Sequence, residues 1–440
     1  MKQAKLSFLI MAIFVLLLTA CSGGKETSGE KSETGNDSEK TEGPKEDEAT
    51  YDLGGRVIKI ADHYDRTPQG GTEIEDLKVE KWKEVEGKYN VKIEWVVIPF
   101  EEKVNQLTTT LLAGEPAADI WGLGTTDVAA LVQQDYVYAL DEIIDLESSK
   151  MTETMKKLGT LGEKVYFLTS QVNQSGGMFY NKTMFEQAGL PDPYELQEAG
   201  EWTWEAMLEA AKKLTNGTTY GLSADPNLLA EYSIFTNDAQ FIDSSTGKVT
   251  VDSPNAIEAL EFVSSLYNEH KVIKPNEGNN YEDPRNYFTE GLVGMTQGWV
   301  WEAEGRLEAP FEWGYVFWPK GPKATDYVTP LSDFGGDVIP KGVEDPQIVY
   351  QIWEEMTAFE VSEEDVVHWF EIVMPNEESV NTATEMLDNI KSNYWPSYNL
   401  KDAFYETFEN IATGTESPTQ AIAKVKGESQ ARIDEFMGKK

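Results

Sequence analysis

Cysteine and histidine are nearly absent: 440 residues include one Cys and 3 His. A lone cysteine excludes an internal disulfide framework, and so few thiols and imidazoles argue against a metal centre built on them. Basic residues are also scarce. Lys and Arg number 37 against 77 Asp and Glu, a formal net charge of −40 whose field repels nucleic acid and other polyanions. No Gly-x-Ser-x-Gly elbow, His-Glu-x-x-His, P-loop or Cys-x-x-Cys motif occurs, and no Asp-rich loop has calcium spacing. A glycan-degrading enzyme needs two opposed carboxyls at a set separation. Pairs such as Glu354-Glu355 and Glu377-Glu378 are unavoidable in so acidic a chain and read as solvated helix faces. The expectation is therefore a protein without catalysis, resident metal or cofactor.

Aromatic residues, in contrast, are plentiful, with 12 Trp, 19 Tyr and 18 Phe in a chain that is 40% hydrophobic. That length is too great for one ordinary core and suggests two lobes. At the N-terminus Lys2 and Lys5 precede an apolar run, Leu6 to Leu18, too short to span a bilayer comfortably and of signal-peptide length. It ends in Leu18-Thr19-Ala20-Cys21-Ser22-Gly23, which resembles the lipobox of bacterial lipoproteins. That resemblance implies a signal peptide over 1–20 and a lipidated Cys21 as first mature residue, anchoring the protein to the outer face of the cell membrane. Residues 21–50 read as a flexible acidic linker. From Ser22 onward they hold no large apolar side chain and cannot offset chain entropy by burial.

From Tyr51 the pattern is α/β. Val57–Ile60 reads as a strand ending in the polar loop Asp62-His63-Tyr64. A helix follows with Ile74, Leu77, Trp82, Val85 and Tyr89 on one side, then a strand over Val91–Ile98. A helix through Val104, Leu107 and Leu111 leads to a strand around Asp119-Ile120-Trp121. Alternating strands and helices imply a parallel sheet, with ligands beyond the carboxyl ends of its strands. Further on, Met178-Phe179-Tyr180 is a short strand, and Asn181 can cap the helix after it. Gly189 and Pro191 stop that helix. Thr203 opens a second helix, with Trp204, Met207, Leu208, Ala211 and Leu214 on one face.

Tyr180-Asn181-Lys182, Phe185, Ala188-Gly189-Leu190-Pro191, Trp202-Thr203-Trp204-Glu205 and Tyr220-Gly221-Leu222 together resemble the signature of the family 1 extracellular solute-binding proteins. These are the capture subunits of bacterial ABC importers for sugars, and the resemblance runs from about Val57 to the C-terminus. It implies a two-lobed α/β periplasmic-binding-protein-like fold of type II, with discontinuous lobes, a hinge and a ligand cleft. The first lobe is expected over 51–168 and 283–328, the second over 171–282 and 331–440. Crossings are expected near Leu168 to Gln171, Glu282 to Pro284 and Thr329 to Phe334.

The resemblance also implies a function: a lipid-anchored monomer that captures a neutral carbohydrate, more an oligosaccharide than a monosaccharide, and delivers it to an ABC permease. A same-fold binder of a metal or polyamine is the alternative. Gly291–Trp301 resembles the family stretch where a strand ends in a tryptophan that stacks on sugar, and Asn393-Tyr394-Trp395-Pro396 lies where another such tryptophan is found. The expected ligand plates are thus Trp299, Trp121 and Trp395, with Trp301 beside them. Asp62, His63, Asn173, Gln174, Tyr232 and Asp337 are expected to meet ligand hydroxyls. A sugar has apolar C–H faces and a rim of hydroxyls, and it suits aromatic plates with Asp, Asn, Gln and His around them.

Overall fold

The computed structural model describes residues 51–161, 164–168, 176–243, 246–331, 335–357, 363–392 and 400–436. Cys21, the linker, Asn173, Gln174 and Trp395 lie outside these residues.

Strand β1 (Arg56–Asp62) runs into a loop that ends at Thr72, whose hydroxyl accepts the Glu75 amide and caps the helix Glu73–Tyr89. Asn90, with φ of 47°, turns the chain out of that helix into β2 (Val91–Val97). β2 lies parallel to β1, with Ile58 opposite Ile93. After the helix Lys103–Leu112 comes β3 (Ile120–Gly124), parallel to β1 on its other side. β1 is therefore interior, and Ile58, Ile60 and Ala61 are fully shielded. A small hairpin, β4 (Thr160–Leu161) with β5 (Lys164–Val165), precedes the first passage out of this sheet.

The second sheet begins with β6 (Gly176–Asn181), every residue of which is buried. Asn181 caps the helix Lys182–Gln187 through the Met184 amide at 2.9 Å, and Thr203 caps the amphipathic helix Trp204–Leu214. β7 (Tyr220–Ser223), the hairpin β8 (Ile242–Asp243) and β9 (Lys248–Val249), β10 (Val293–Trp299) and β11 (Trp313–Val316) follow. The sheet order is β11-β6-β10-β7, with β10 antiparallel to β6 and parallel to β7. β12 (Thr329–Leu331) then leads to β13 (Gly335–Val338), which returns to the first sheet antiparallel to β3. The helix Pro346–Met356 lies on the helix Glu73–Tyr89, its Ile348, Ile352 and Trp353 sharing a core with Val85 and Tyr89. The helices Glu363–Val373 and Glu377–Asp388 pack on the second sheet, and β14 (Ile390–Ser392) pairs with β12. Helices Lys401–Ala412 and Pro418–Phe436 close the second lobe against Pro226–Thr236 and Pro254–Asn268.

The lobe boundaries expected from sequence need correction. Segment 283–328 belongs to the second lobe, because β10 fills the gap between β6 and β7 and buries Val293 and Met295 there. Segment 335–356 belongs to the first, through β13 and the helix after it. The chain changes sheet between Leu168 and Gly176 and between Leu331 and Gly335. Its third passage follows Met356 instead of lying near Glu282, where a helix, Asp283–Thr289, begins within the second lobe. An apolar strand fits either of these two mixed sheets equally well, so its composition cannot say which sheet it joins.

Candidate functional site: two faces at the inter-lobe crossings

On the first lobe the site grows from the carboxyl end of β1. Asp62 is buried there, and four groups converge on its carboxylate. His63 N and His63 Nδ1 lie 2.7 Å from Oδ1, Lys103 Nζ lies 3.0 Å from it, and Arg66 Nη2 lies 2.8 Å from Oδ2. Burial raises the Asp62 pKa, but the Arg66 and Lys103 charges and the His63 amide outweigh it and leave the group below its ordinary value. Lys103 is itself buried and also donates to the Gly122 carbonyl at 2.6 Å. Gly122 must be glycine: a Cβ there would stand 2.7 Å from Asp62 Oδ2.

Above this ionic floor the surface is aromatic. Tyr64 is 49% and Phe100 60% exposed, and both meet the His63 ring edge-on, at 4.4 and 5.6 Å. Asp337 completes the floor. Its Oδ1 lies 3.4 Å from Arg66 Nη2, its Oδ2 accepts Trp353 Nε1 at 2.8 Å, and its backbone N and O each bond Leu168 at 2.8 Å. Burial raises the Asp337 pKa, with Arg66 and Trp353 opposing.

On the second lobe the site is the end of β10. Trp299 is half-buried, its ring 6.5 Å from Tyr281 and 6.1 Å from Trp301, the two indoles within 14° of parallel. The Arg285 guanidinium lies 3.6 Å from the Tyr281 ring centre and 4.8 Å from that of Trp301. Glu302 locks the group from beneath. It accepts the Trp299 amide at 3.2 Å, Arg285 at 3.2 Å and Arg306 at 2.6 Å, and the Glu302 and Arg306 side chains are each 3% exposed. Gln297, two residues before Trp299 and hence on the same sheet face, is buried, and its Oε1 has no hydrogen-bond partner among the described residues. The same holds for Asn227 Oδ1 and the Tyr232 hydroxyl.

The two faces flank the crossings. Trp299 pairs with Gly176, the first described residue of the second lobe, and Gly176 bonds Thr329 Oγ1 through both its N and its O, at 2.8 and 2.6 Å. Asp337 and Leu168 are bonded to each other at the first-lobe ends of the same crossings.

Several expected site residues move. Trp121 is corrected to a core residue: its ring is fully buried with Leu107, Leu123 and Phe167, and Nε1 donates to Ala118 O at 3.2 Å. Tyr232 is likewise buried, edge-on to Trp318 at 5.8 Å, and only its hydroxyl is left over. Gly176 is packed so tightly there that a Cβ would fall 1.9 Å from that hydroxyl. Asp337 has both oxygens engaged inside the first lobe, where it joins crossing to floor. Asp62 is a scaffold for His63 by the same reasoning. His63, Trp299 and Trp301 remain open to a ligand. The sequence reading places Tyr64 in the loop at the strand rim without making it a ligand contact, and it misses Phe100, Tyr281 and Gln297. Tyr64 and Phe100 follow directly after the ends of β1 and β2, which was the available signal; nothing local marks Arg285 or Glu302.

A model of the family described as bacterial extracellular solute-binding protein matches residues 82–391. The chain belongs to that family. It is 26% identical over 212 residues to a binding protein of Brucella abortus (strain 2308), covering 47% of this chain and 49% of that one. To the arabinooligosaccharide-binding protein of Bacillus subtilis (strain 168) it is 22% identical over 235 residues, 52% of this chain and 53% of that one. The chain thus spans about half the length of the curated relatives it matches. Among solved structures, the GacH receptor of Streptomyces glaucescens, also solved with acarbose, superposes with a TM-score of 0.69 at 17% identity, over 86% of this chain and 99% of that one. An ABC substrate-binding protein of Listeria monocytogenes in complex with cycloalternan gives 0.67 at 18% identity, over 87% and 99%. At these identities the likeness is one of fold, the two-lobed architecture of solute-binding proteins.

Proposed function

We propose that this solute-binding protein captures a neutral oligosaccharide between its lobes and presents it to an ABC permease, without turning it over. The observation that carries the reading is the aromatic surface at the end of β10, where Trp299, Trp301 and Tyr281 stand partly exposed over a buried, fully paired Glu302. Such plates suit the C–H faces of a sugar. The unpaired Oε1 of Gln297 suits its rim, since each sugar hydroxyl both donates and accepts. Tyr64, Phe100 and His63 supply the opposing first-lobe wall. With one wall on each lobe, contacts are complete only in the closed form, so ligand shifts the open–closed balance. The net charge of −40 disfavours anionic ligands. Names of relatives support the carbohydrate class, since one is an arabinooligosaccharide-binding protein and the two proteins of the structures above have been solved in complex with acarbose and with cycloalternan. A lipid anchor at Cys21 on the extracellular face of the cell membrane, and action as a monomer, complete the proposal.

Calorimetric titration with arabino-, malto- and cello-oligosaccharides tests it, together with chromatography of the recovered sugar for shortened products. Trp299→Ala is expected to weaken the binding sugar by about thirty- to a thousandfold, or ~2–4 kcal/mol. The ligand-free protein should melt within a few degrees of wild type. A variant that unfolds without ligand, yet keeps its sugar affinity in the folded fraction, makes Trp299 a packing residue and refutes the assignment.

A further inference from the structure

Beyond Trp301 the surface does not flatten. It opens into a crevice of about 670 Å³, lined by both lobes. Thr72 and Glu73 enter it from the first lobe, at the start of the helix Glu73–Tyr89, and Ile74 beside them is buried against Phe288 and Val373 of the second. Arg285, Trp301, Leu307 and Val373 enter it from the second. Trp301 is 37% exposed and Leu307 45%, so apolar surface faces open space at the mouth. Trp301 also joins the crevice to the plate at β10, its indole 6.1 Å from that of Trp299 and within 14° of its plane. Gly305 lies in the wall, and a Cβ built on it meets nothing within 4 Å. The charges around the crevice are mixed: Glu73, Glu304 and Glu308 stand with Arg285 and Arg306, which favours a neutral, hydroxyl-rich occupant over an ion of either sign.

We propose that this crevice is an extended subsite for the same ligand: an oligosaccharide whose first units lie on Trp299 continues over Trp301, and its later units fill the space between Thr72–Glu73 and Leu307. The inference rests on the carbohydrate reading and adds chain-length selectivity to it. The volume is within the range of small-molecule sites, and it is larger than one sugar ring needs. Because Thr72 and Glu73 belong to the other lobe, a long chain bridges the lobes at this second place, beside the contact that Ile74 already makes, as well as at the crossings. Length then adds to closure, so that longer oligosaccharides both bind more tightly and hold the lobes together more firmly.

The test compares di- through heptasaccharides of one series by titration calorimetry on the full folded chain, wild type against Trp301→Ala and Gly305→Phe. The first variant removes the ring that links plate to crevice; the second fills the crevice without touching Trp299. In wild type, affinity is expected to rise with length by about two- to tenfold for each unit that reaches the crevice. In both variants the gain with length should disappear, and in Gly305→Phe, which leaves the plates at β10 intact, disaccharide affinity should stay within about threefold of wild type. A wild type that binds saccharides with no dependence on length, or variants that keep the full gain, overturns the subsite and leaves the carbohydrate reading standing. If no saccharide of any length binds wild type, the carbohydrate reading itself falls. Thermal melting of each ligand-free variant separates loss of the site from loss of the fold.

Discussion

Glu302 is where stability and site geometry meet, and Glu302→Gln isolates its charge with almost no change in shape. The wild-type carboxylate neutralises Arg306 at 2.6 Å and Arg285 at 3.2 Å. Arg306 has little else to turn to. Its side chain is 3% exposed, its Nη1 donates to the Glu302 carbonyl at 2.9 Å, and its guanidinium lies 3.9 Å from the centre of the Phe179 ring. A neutral amide still accepts hydrogen bonds but leaves that cation buried without a counter-charge. Breaking a buried pair by removing one partner costs about 3–5 kcal/mol, and the retained amide argues for the lower end, ~3 kcal/mol. For a lobe of this size that loss corresponds to a melting shift of roughly 6–12 °C.

Scanning calorimetry of the ligand-free protein measures the shift. A paired variant gives the sharper control. Glu302→Met alone should melt lower still, whereas Glu302→Met with Arg306→Met should recover much of the loss, because an apolar pair needs no counter-charge. Arg285 tolerates both variants, since it is nearer solvent and keeps Glu282 at 3.6 Å. A Glu302→Gln protein that melts within a degree of wild type would refute the idea that this carboxylate neutralises a buried cation. A paired variant less stable than Glu302→Met would refute it independently.

Two further outcomes are expected. Glu142 accepts Lys164 at 2.7 Å and Lys341 at 2.9 Å, bonds that hold its pKa down at about 2 against an ordinary 4.5. The stability lost in Glu142→Gln should therefore be full above about pH 4.5 and vanish as the pH falls through about 2, a small effect that salt weakens because the pair is exposed; a melting difference that persists undiminished at the lowest pH contradicts it. Cys21→Ser should release the protein from membranes or leave an uncleaved precursor in cell fractionation, and processing with membrane association unchanged would end the lipoprotein reading.

What the sequence determined by itself is local and periodic. Asn181 and Thr203 cap the helices expected of them, because a cap needs only its own side chain and an amide two or three residues on. The strands at Val57–Ile60 and Val91–Ile98 fall within a residue or two of β1 and β2, since alternation of helix and strand periods is written in neighbouring residues. The family, too, could be recognised from short motifs in order.

Tertiary structure decided what depends on partners distant in the chain. Whether an aromatic ring lines a cleft or fills a core depends on what lies across from it. Trp121 and Trp299 both belong to strands, the first near the start of β3 and the second at the end of β10. The first is roofed by Phe167 and Leu123, while the second emerges at a sheet end beside Tyr281. Asp62 looked like a ligand group because it sits at a strand end, but Lys103, 41 positions on, joins Arg66 of the adjacent loop in claiming its oxygens. The lobe of β10 was likewise undetermined locally, because its seat between β6 and β7 is fixed by backbone pairing with residues more than a hundred positions earlier for β6 and about seventy for β7. Hydrogen-bond pairing between strands has no sequence code of its own beyond apolar character, so only the folded chain could assign it.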